Sequence, residues 1–161
     1  MQPLVIGPDE GRRVSLYEVA FRYAVESAHT NGALAILEVV IPPATLVKPH
    51  RHANEDEYTL VLEGTVGVRL GDLETQASAG SYLVKPRGVP HAMWNTGAVA
   101  ARIAEIVVPG GLENYFEELG PILQREAETA DADYDALAAR YGITIENDWV
   151  SDIEARYGVT L

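Results

Sequence analysis

Two stretches decide the reading of this chain: ATLVKPHRHANEDEYTLVLEG at residues 44–64 and GSYLVKPRGVPHAMWN at residues 80–95. In an extended strand alternate side chains face the same way, so His50 and His52 project to one side. An acidic run, Glu55-Asp-Glu57, follows and opens the apolar segment Tyr58–Leu62, so a carboxylate can approach from a neighbouring strand. Glu57 stands nearest that strand, with Glu55 and Asp56 as competitors. The bend Pro86-Arg-Gly88 leads to His91. Three imidazoles and one carboxylate form a mixed nitrogen and oxygen set that suits one divalent transition-metal ion (Fe, Mn, Ni, Zn, Co or Cu) better than Mg or Ca. The chain has four histidines; the fourth, His29, sits in the polar turn Ser27–Gly32 and reads as a solvated loop residue.

Outward from these stretches, residues 1 to about 110 read as strands separated by turns. Gly32–Pro42 is rich in branched apolar residues and stops at Pro42-Pro43. Tyr58–Leu62 turns at Glu63-Gly64 into Thr65–Leu70, and Gly71-Asp72 marks the next turn. Ser81–Val84 ends at Pro86, and Arg102–Val108 at Pro109-Gly-Gly111. Short strands punctuated by Gly and Pro predict an all-β sandwich or barrel. From residue 111 to 161 the period changes. Leu112, Tyr115, Phe116 and Leu119 fall on one helical face, interrupted by Gly120-Pro121. Tyr134, Leu137, Ala138 and Tyr141 make a second face, and Trp149, Val150, Ile153 and Tyr157 a third. Residues 125–133 read as a polar connection, and Gly142 and Gly158 as helix caps. Asn147 or Asp148 is the expected N-cap of the last helix. These helices are expected to form an extension that packs on the barrel or on a partner subunit, their aromatic faces serving the core.

Composition narrows the function. Acidic residues outnumber basic ones by 24 to 12, for a formal charge of −12, which disfavours nucleic acid and anionic membrane surfaces as partners. There is no cysteine, so disulfides, thiolate metal sites and cysteine nucleophiles are excluded. No apolar run reaches bilayer-spanning length and no secretory signal is visible, so the expectation is a cytoplasmic protein.

The same residues resemble the cupin motifs, Gly-x5-His-x-His-x(3,4)-Glu-x6-Gly and Gly-x5-Pro-x-Gly-x2-His-x3-Asn. The second is matched at Gly80, Pro86, Gly88, His91 and Asn95. The first is matched at His50, His52, Glu57 and Gly64, with Ala44 where the leading glycine belongs. The spacing to Gly64 selects Glu57 over Asp56. The resemblance implies a double-stranded β-helix (jelly-roll) barrel with His50, His52, Glu57 and His91 as metal ligands. The segments around Thr30–Pro43 and Pro109–Phe116 are similar to small quercetin-dioxygenase-like monocupins. That similarity implies an oxygenase acting on a small aromatic or enolic substrate, with Glu57 also taking a substrate proton. A metal-dependent isomerase, cyclase or lyase is the alternative, and a non-catalytic binding module a third reading. Strand parity with the ligands assigns Thr59, Val61, Met93 and Asn95 to the substrate pocket. Tyr58, Tyr82 and Trp94 are assigned to core or interface packing. Homodimer formation, through sheet edges or the N-terminal strand, is expected.

Overall fold

The computed structural model describes residues 4–124 and 127–161, with the backbone alone for 127–131. Strict alternation of buried and half-buried positions builds the strands: in Ala35–Ile41 (β3) every odd-numbered residue is buried, and Ala101–Val108 (β10) repeats the pattern. Such alternation belongs to a sheet with one face on a core. Six strands form the first sheet in the order β1 (Arg13–Leu16), β2 (Val19–Val25), β3, β10, β5 (Asp56–Glu63) and β8 (Tyr82–Lys85). The second sheet runs β11 (Ile143–Ile145), β4 (Thr45–His52), β9 (His91–Asn95), β6 (Thr65–Leu70) and β7 (Leu73–Ser78). Every strand pair within the two sheets is antiparallel. Between the sheets lies a core of Leu37, Val39, Ile41, Val61, Val66, Val68, Met93 and Ile103.

The C-terminal extension departs from the expected all-helical form. Its helices are α1 (Glu113–Leu123), α2 (Ala127–Arg140) and α3 (Asn147–Tyr157), but Ile143–Ile145 is a strand that pairs with β4, Ile143 opposite His52 and Ile145 opposite His50. Gly142, at φ +68°, makes the turn from α2 into that strand. The extension therefore supplies the last strand of the sheet that carries His50, His52 and His91. The β-branched residues of Ile-Thr-Ile favour an extended chain, and β4 offers them an open edge.

Helix α1 continues through Gly120-Pro121 instead of breaking there. Proline removes one donor, for the carbonyl of Glu117, and that residue is exposed, where an unpaired carbonyl costs little. The segment expected as a connection is helical from Ala127, while residues 125 and 126 lie outside the described residues. The N-cap of α3 is Glu146, one residue before the expected Asn147. Gly158 caps α3 in the left-handed conformation, as its position implied.

Helix α3 covers the outer face of the second sheet. Trp94, Leu46 and Ala92 point away from the barrel interior and bury against Ile153 and Val159, with the Trp94 and Tyr157 rings 4.7 Å apart. This explains why every residue of β9 is buried: one face meets the barrel interior and the other meets α3. Helix α1 packs on β1 and α2, and α2 on β11, so the helices span the side of the sandwich between β1 and β11.

Candidate metal centre

Strands of both sheets bring the four expected ligands together. His50 and His52 lie on β4, His91 opens β9 directly opposite His50, and Glu57 stands near the start of β5. Their ligand atoms all lie within 4.8 Å of one another. Nitrogen and oxygen donors bind first-row ions at about 2.0–2.2 Å, so donors on one ion are at most about 4.4 Å apart. The cluster needs adjustments of only a few tenths of an ångström.

Local structure aims two of the three rings. His50 Nδ1 lies 2.6 Å from the Lys48 carbonyl and His91 Nδ1 3.1 Å from that of Val89. An Nδ1–H donated to each carbonyl leaves Nε2 as the free acceptor, the tautomer a metal ligand requires. The two Nε2 atoms are then 3.2 Å apart, lone pair facing lone pair, an arrangement that a cation between them relieves. His52 has no hydrogen-bond partner on either ring nitrogen among the described residues, though it is buried. Its Nε2 is 3.4 Å from Glu57 Oε1. Burial, reinforced by the neighbouring imidazoles, pulls the His50 pKa well below its ordinary value. Burial likewise brings His52 down to about 4 against the opposing pull of Glu57. Both rings are therefore neutral at pH 7. These orphaned acceptors fit a divalent ion.

The backbone around the site follows the motif even where the residue does not. Ala44, in the place of the leading glycine, adopts φ +58°, the left-handed region that glycine enters freely. Gly88, at φ +78°, donates its N–H to the His52 carbonyl at 2.7 Å, tying the bend before His91 to the strand that carries the other histidines. Of the rival carboxylates, Asp56 faces outward and pairs with Arg87 at 2.8 Å. Glu55 lies 3.7 Å from His52 Nδ1, beyond hydrogen-bonding distance.

Two charged residues not anticipated from sequence stand behind Glu57. Lys85 Nζ is 2.9 Å from Glu57 Oε2 and 2.9 Å from Glu105 Oε2, and all three side chains are buried. The Thr59 hydroxyl, 3.0 Å from both Glu105 oxygens, donates to that carboxylate. Burial drives the Glu57 carboxyl upward, but Lys85 and the imidazoles outweigh it and hold the pKa well below the usual range. Glu105 goes the other way: burial, aided by Glu57 and opposed by Lys85, raises it to about 7. A signal for both was present. Lys85 shares parity with Leu83, and Glu105 with Ile103 and Val107, so each is a charge on the buried face of an alternating strand.

The expected pocket residues do not line the large cavity beside the cluster. A cavity of about 900 Å³ includes His50 and His52 in its wall, and its other walls come from β1, β2, β4, β11, α1 and α2. None of Thr59, Val61, Met93 and Asn95 lines it. Parity placed the first three correctly toward the interior, but Val61 and Met93 fill the apolar core and Thr59 is engaged with Glu105. Asn95 is structural: its amide donates to the carbonyls of Ile41 and Val99, both at 2.9 Å, and its oxygen accepts from Gly97 N–H. Trp94 packs under α3, as expected of a core residue, while Tyr58 and Tyr82 are exposed on the outer face of the first sheet.

Comparison with known proteins places this barrel. Residues 37–109 match the family model of the Cupin domain. Germin-like protein subfamily T member 2 of Arabidopsis thaliana is 36% identical over 77 residues, 44% of this chain and 34% of that protein. Putative germin-like protein 9-2 of Oryza sativa subsp. japonica is 36% identical over 73 residues, 42% and 34% of the two. The chain thus spans about a third of the length of these curated relatives. Among solved structures, KdgF from Halomonas sp. superposes with a TM-score of 0.61 at 16% identity, covering 68% of this chain and 97% of that one. A predicted oxalate decarboxylase from Thermotoga maritima gives 0.60 at 22% identity, covering 66% and 99%. At such identities the structures speak to fold alone. Family match, antiparallel two-sheet barrel and converging His/Glu side chains coincide on the same residues: residues 37–109 match the Cupin domain in sequence, and the barrel they build has the fold of these neighbours.

Proposed function

We propose that the chain is a metal-dependent enzyme, an oxygenase acting on a small aromatic or enolic substrate at a mononuclear centre held by His50, His52, Glu57 and His91. The observation that carries this reading is the four-residue His/Glu cluster, two of whose members, His50 and His52, line a cavity large enough for an organic molecule. A divalent transition metal with four protein donors keeps about two positions for exchangeable ligands and acts there as a Lewis acid or redox centre. The protein's own contribution is orientation and charge. Lys48 and Val89 carbonyls hold the His50 and His91 rings, and Lys85 keeps Glu57 ionised. Glu57 and the Lys85–Glu105 pair can accept and return a substrate proton in a site shielded from water.

That buried pair also favours the alternative, a non-redox isomerase, cyclase or lyase, because it supplies proton-transfer groups such a reaction needs. Metal analysis of protein purified without an affinity tag, then oxygen uptake with enolic and aromatic candidates, separates the readings. Turnover without oxygen uptake selects the alternative. Absence of bound Fe, Mn, Ni, Co, Cu or Zn after loading removes both. Tight binding without any turnover leaves a binding module.

The partner reading is a homodimer. On the outer face of the first sheet, Ile36, Ile106, Tyr58 and Val84 lie in one cross-strand row, next to the 76% exposed Tyr82. Ion pairs of Glu38 with Arg22 and of Arg102 with Glu38 and Glu63 border the row. An apolar sheet face with a charged rim suits a second copy better than water. Light scattering showing a monomer at high concentration would discard it. No helix among the described residues is long and apolar enough to cross a membrane.

A further inference from the structure

The cavity beside the metal ligands is walled largely by residues that the cupin motifs do not include. Leu16 of β1 and Val19 and Phe21 of β2 form one side. Phe116, Leu119 and Leu123 of α1, with Tyr134 of α2, form another, and Ile143 and Ile145 of β11 close the side next to β4. The aromatic wall is built rather than incidental. Phe21 and Phe116 stack with ring centroids 4.8 Å apart, and Tyr115 meets the edge of Phe116 at 5.4 Å. Lys48 lies over the Tyr134 ring at 4.3 Å. The strand β11 that carries two wall residues also pairs with the His50–His52 segment, so one element positions both the ligands and the apolar wall.

Size and chemistry together define the occupant. At about 900 Å³ the space lies in the upper part of the range, about 300–1,000 Å³, of sites that enclose drug-sized ligands. A substrate of a few heavy atoms, bound only through the metal, leaves most of it to water against apolar walls. A molecule with an oxygen-rich chelating head and an aromatic or branched apolar body fills it: the head on the metal, the body between the β1–β2 wall and α1.

Resting on the metal-centre reading above, we infer that the substrate is such an amphipathic chelator. We further infer that the C-terminal extension, through Phe116, Leu119, Leu123 and Tyr134, is the specificity-determining wall. The sequence reading assigned these helical faces to core packing; here they meet the same cavity as His50 and His52.

The test compares two hydroxamates on cobalt-loaded protein by calorimetry and the visible cobalt spectrum. Acetohydroxamate presents the chelating head alone, and octanohydroxamate the head with an apolar body. The longer probe is expected to bind at least a hundredfold tighter. Phe116→Ala should cut its affinity at least tenfold while leaving acetohydroxamate unchanged. Because truncation can loosen α1, Leu123→Trp serves as the second variant: it fills space at a half-buried position and should again weaken only the longer probe. Equal affinities for the two hydroxamates, or longer-probe affinity indifferent to both variants, overturn the inference. If the protein takes up no cobalt, the metal-centre reading fails, and octanamide, which lacks the chelating group, then tests the wall alone. Octanamide binding weakened by Leu123→Trp upholds the apolar site, and binding indifferent to it sinks that as well.

Discussion

Lys85→Met is the substitution that most directly probes the charge balance behind the metal centre. It removes an ammonium whose side chain is 2% exposed and which sits 2.9 Å from an oxygen of Glu57 and of Glu105, while keeping a flexible side chain of similar size. Two carboxylates that shared one cation then face each other at the polar end of the barrel. Removing one partner from a buried ionic group costs about 3–5 kcal/mol, because the remaining charge is left uncompensated. Glu105 limits that cost. Burial and Glu57 already lift it to about 7 against the opposing effect of Lys85, so without Lys85 it takes up a proton at neutral pH. The expected loss for metal-free protein is therefore at the low end, about 3 kcal/mol at pH 7. Metal affinity should move the other way, rising tenfold or more, because Lys85 competes with a bound cation for Glu57 and repels it at short range. Urea unfolding of the metal-free protein reads the first effect, and competition against a chelator reads the second. The double variant Lys85→Met, Glu105→Gln should recover most of the lost stability. A Lys85→Met protein as stable as wild type with unchanged metal affinity would refute the charge argument. Affinity reduced as far as in Glu57→Gln would show that Lys85 orders the site rather than competing within it.

Further outcomes follow from single residues. The unfolded chain protonates His52 near pH 6.5, but the folded protein only near 4. The stability this residue contributes is thus complete above pH 6.5 and lost as pH falls toward 4, about 3 kcal/mol across the window. Metal-free wild type should lose that much more than His52→Gln between pH 7 and 4, and parallel profiles would contradict it. Gly67→Ala puts a Cβ 2.1 Å from Trp94 Nε1 and 2.2 Å from its Cε2. With Trp94 wedged against Tyr157, the expected cost is about 3 kcal/mol, with a shifted tryptophan fluorescence; an unaltered urea midpoint would place the ring elsewhere. Ala44→Gly relieves a left-handed L-residue and should raise stability by roughly 0.5–1 kcal/mol after the entropy of glycine is deducted. The melting temperature should rise by about 2 °C, and a fall would argue against the left-handed turn.

Much of the centre was legible because its ligands obey short-range rules. His50 and His52 sit two apart on one strand, where side-chain period alone puts both on one face, and Pro86 and Gly88 mark the bend before His91. The bounds of β6 could be read from the turn signals at Gly64 and Gly71. The same period did not find the walls of the cavity beside the site. Parity says that Val61 and Met93 point inward, but whether the interior at that level is cavity or filled core depends on what the opposite sheet contributes. Lys85 and Glu105 were visible as charges on buried strand faces, yet their meaning required knowing that β5 lies between β8 and β10.

By itself, then, the order of residues pointed to the barrel class, the His50, His52, Glu57 and His91 set and the helical character of most of the tail, since each rests on spacing within short segments. Tertiary structure alone decided that Lys85 bridges two carboxylates, that Asn95 ties its loop to Ile41, and that residues 143–145 complete the sheet of the three histidines beneath an aromatic wall. Those features depend on contacts between residues tens of positions apart, and only closure of the barrel brings such residues within reach of one another.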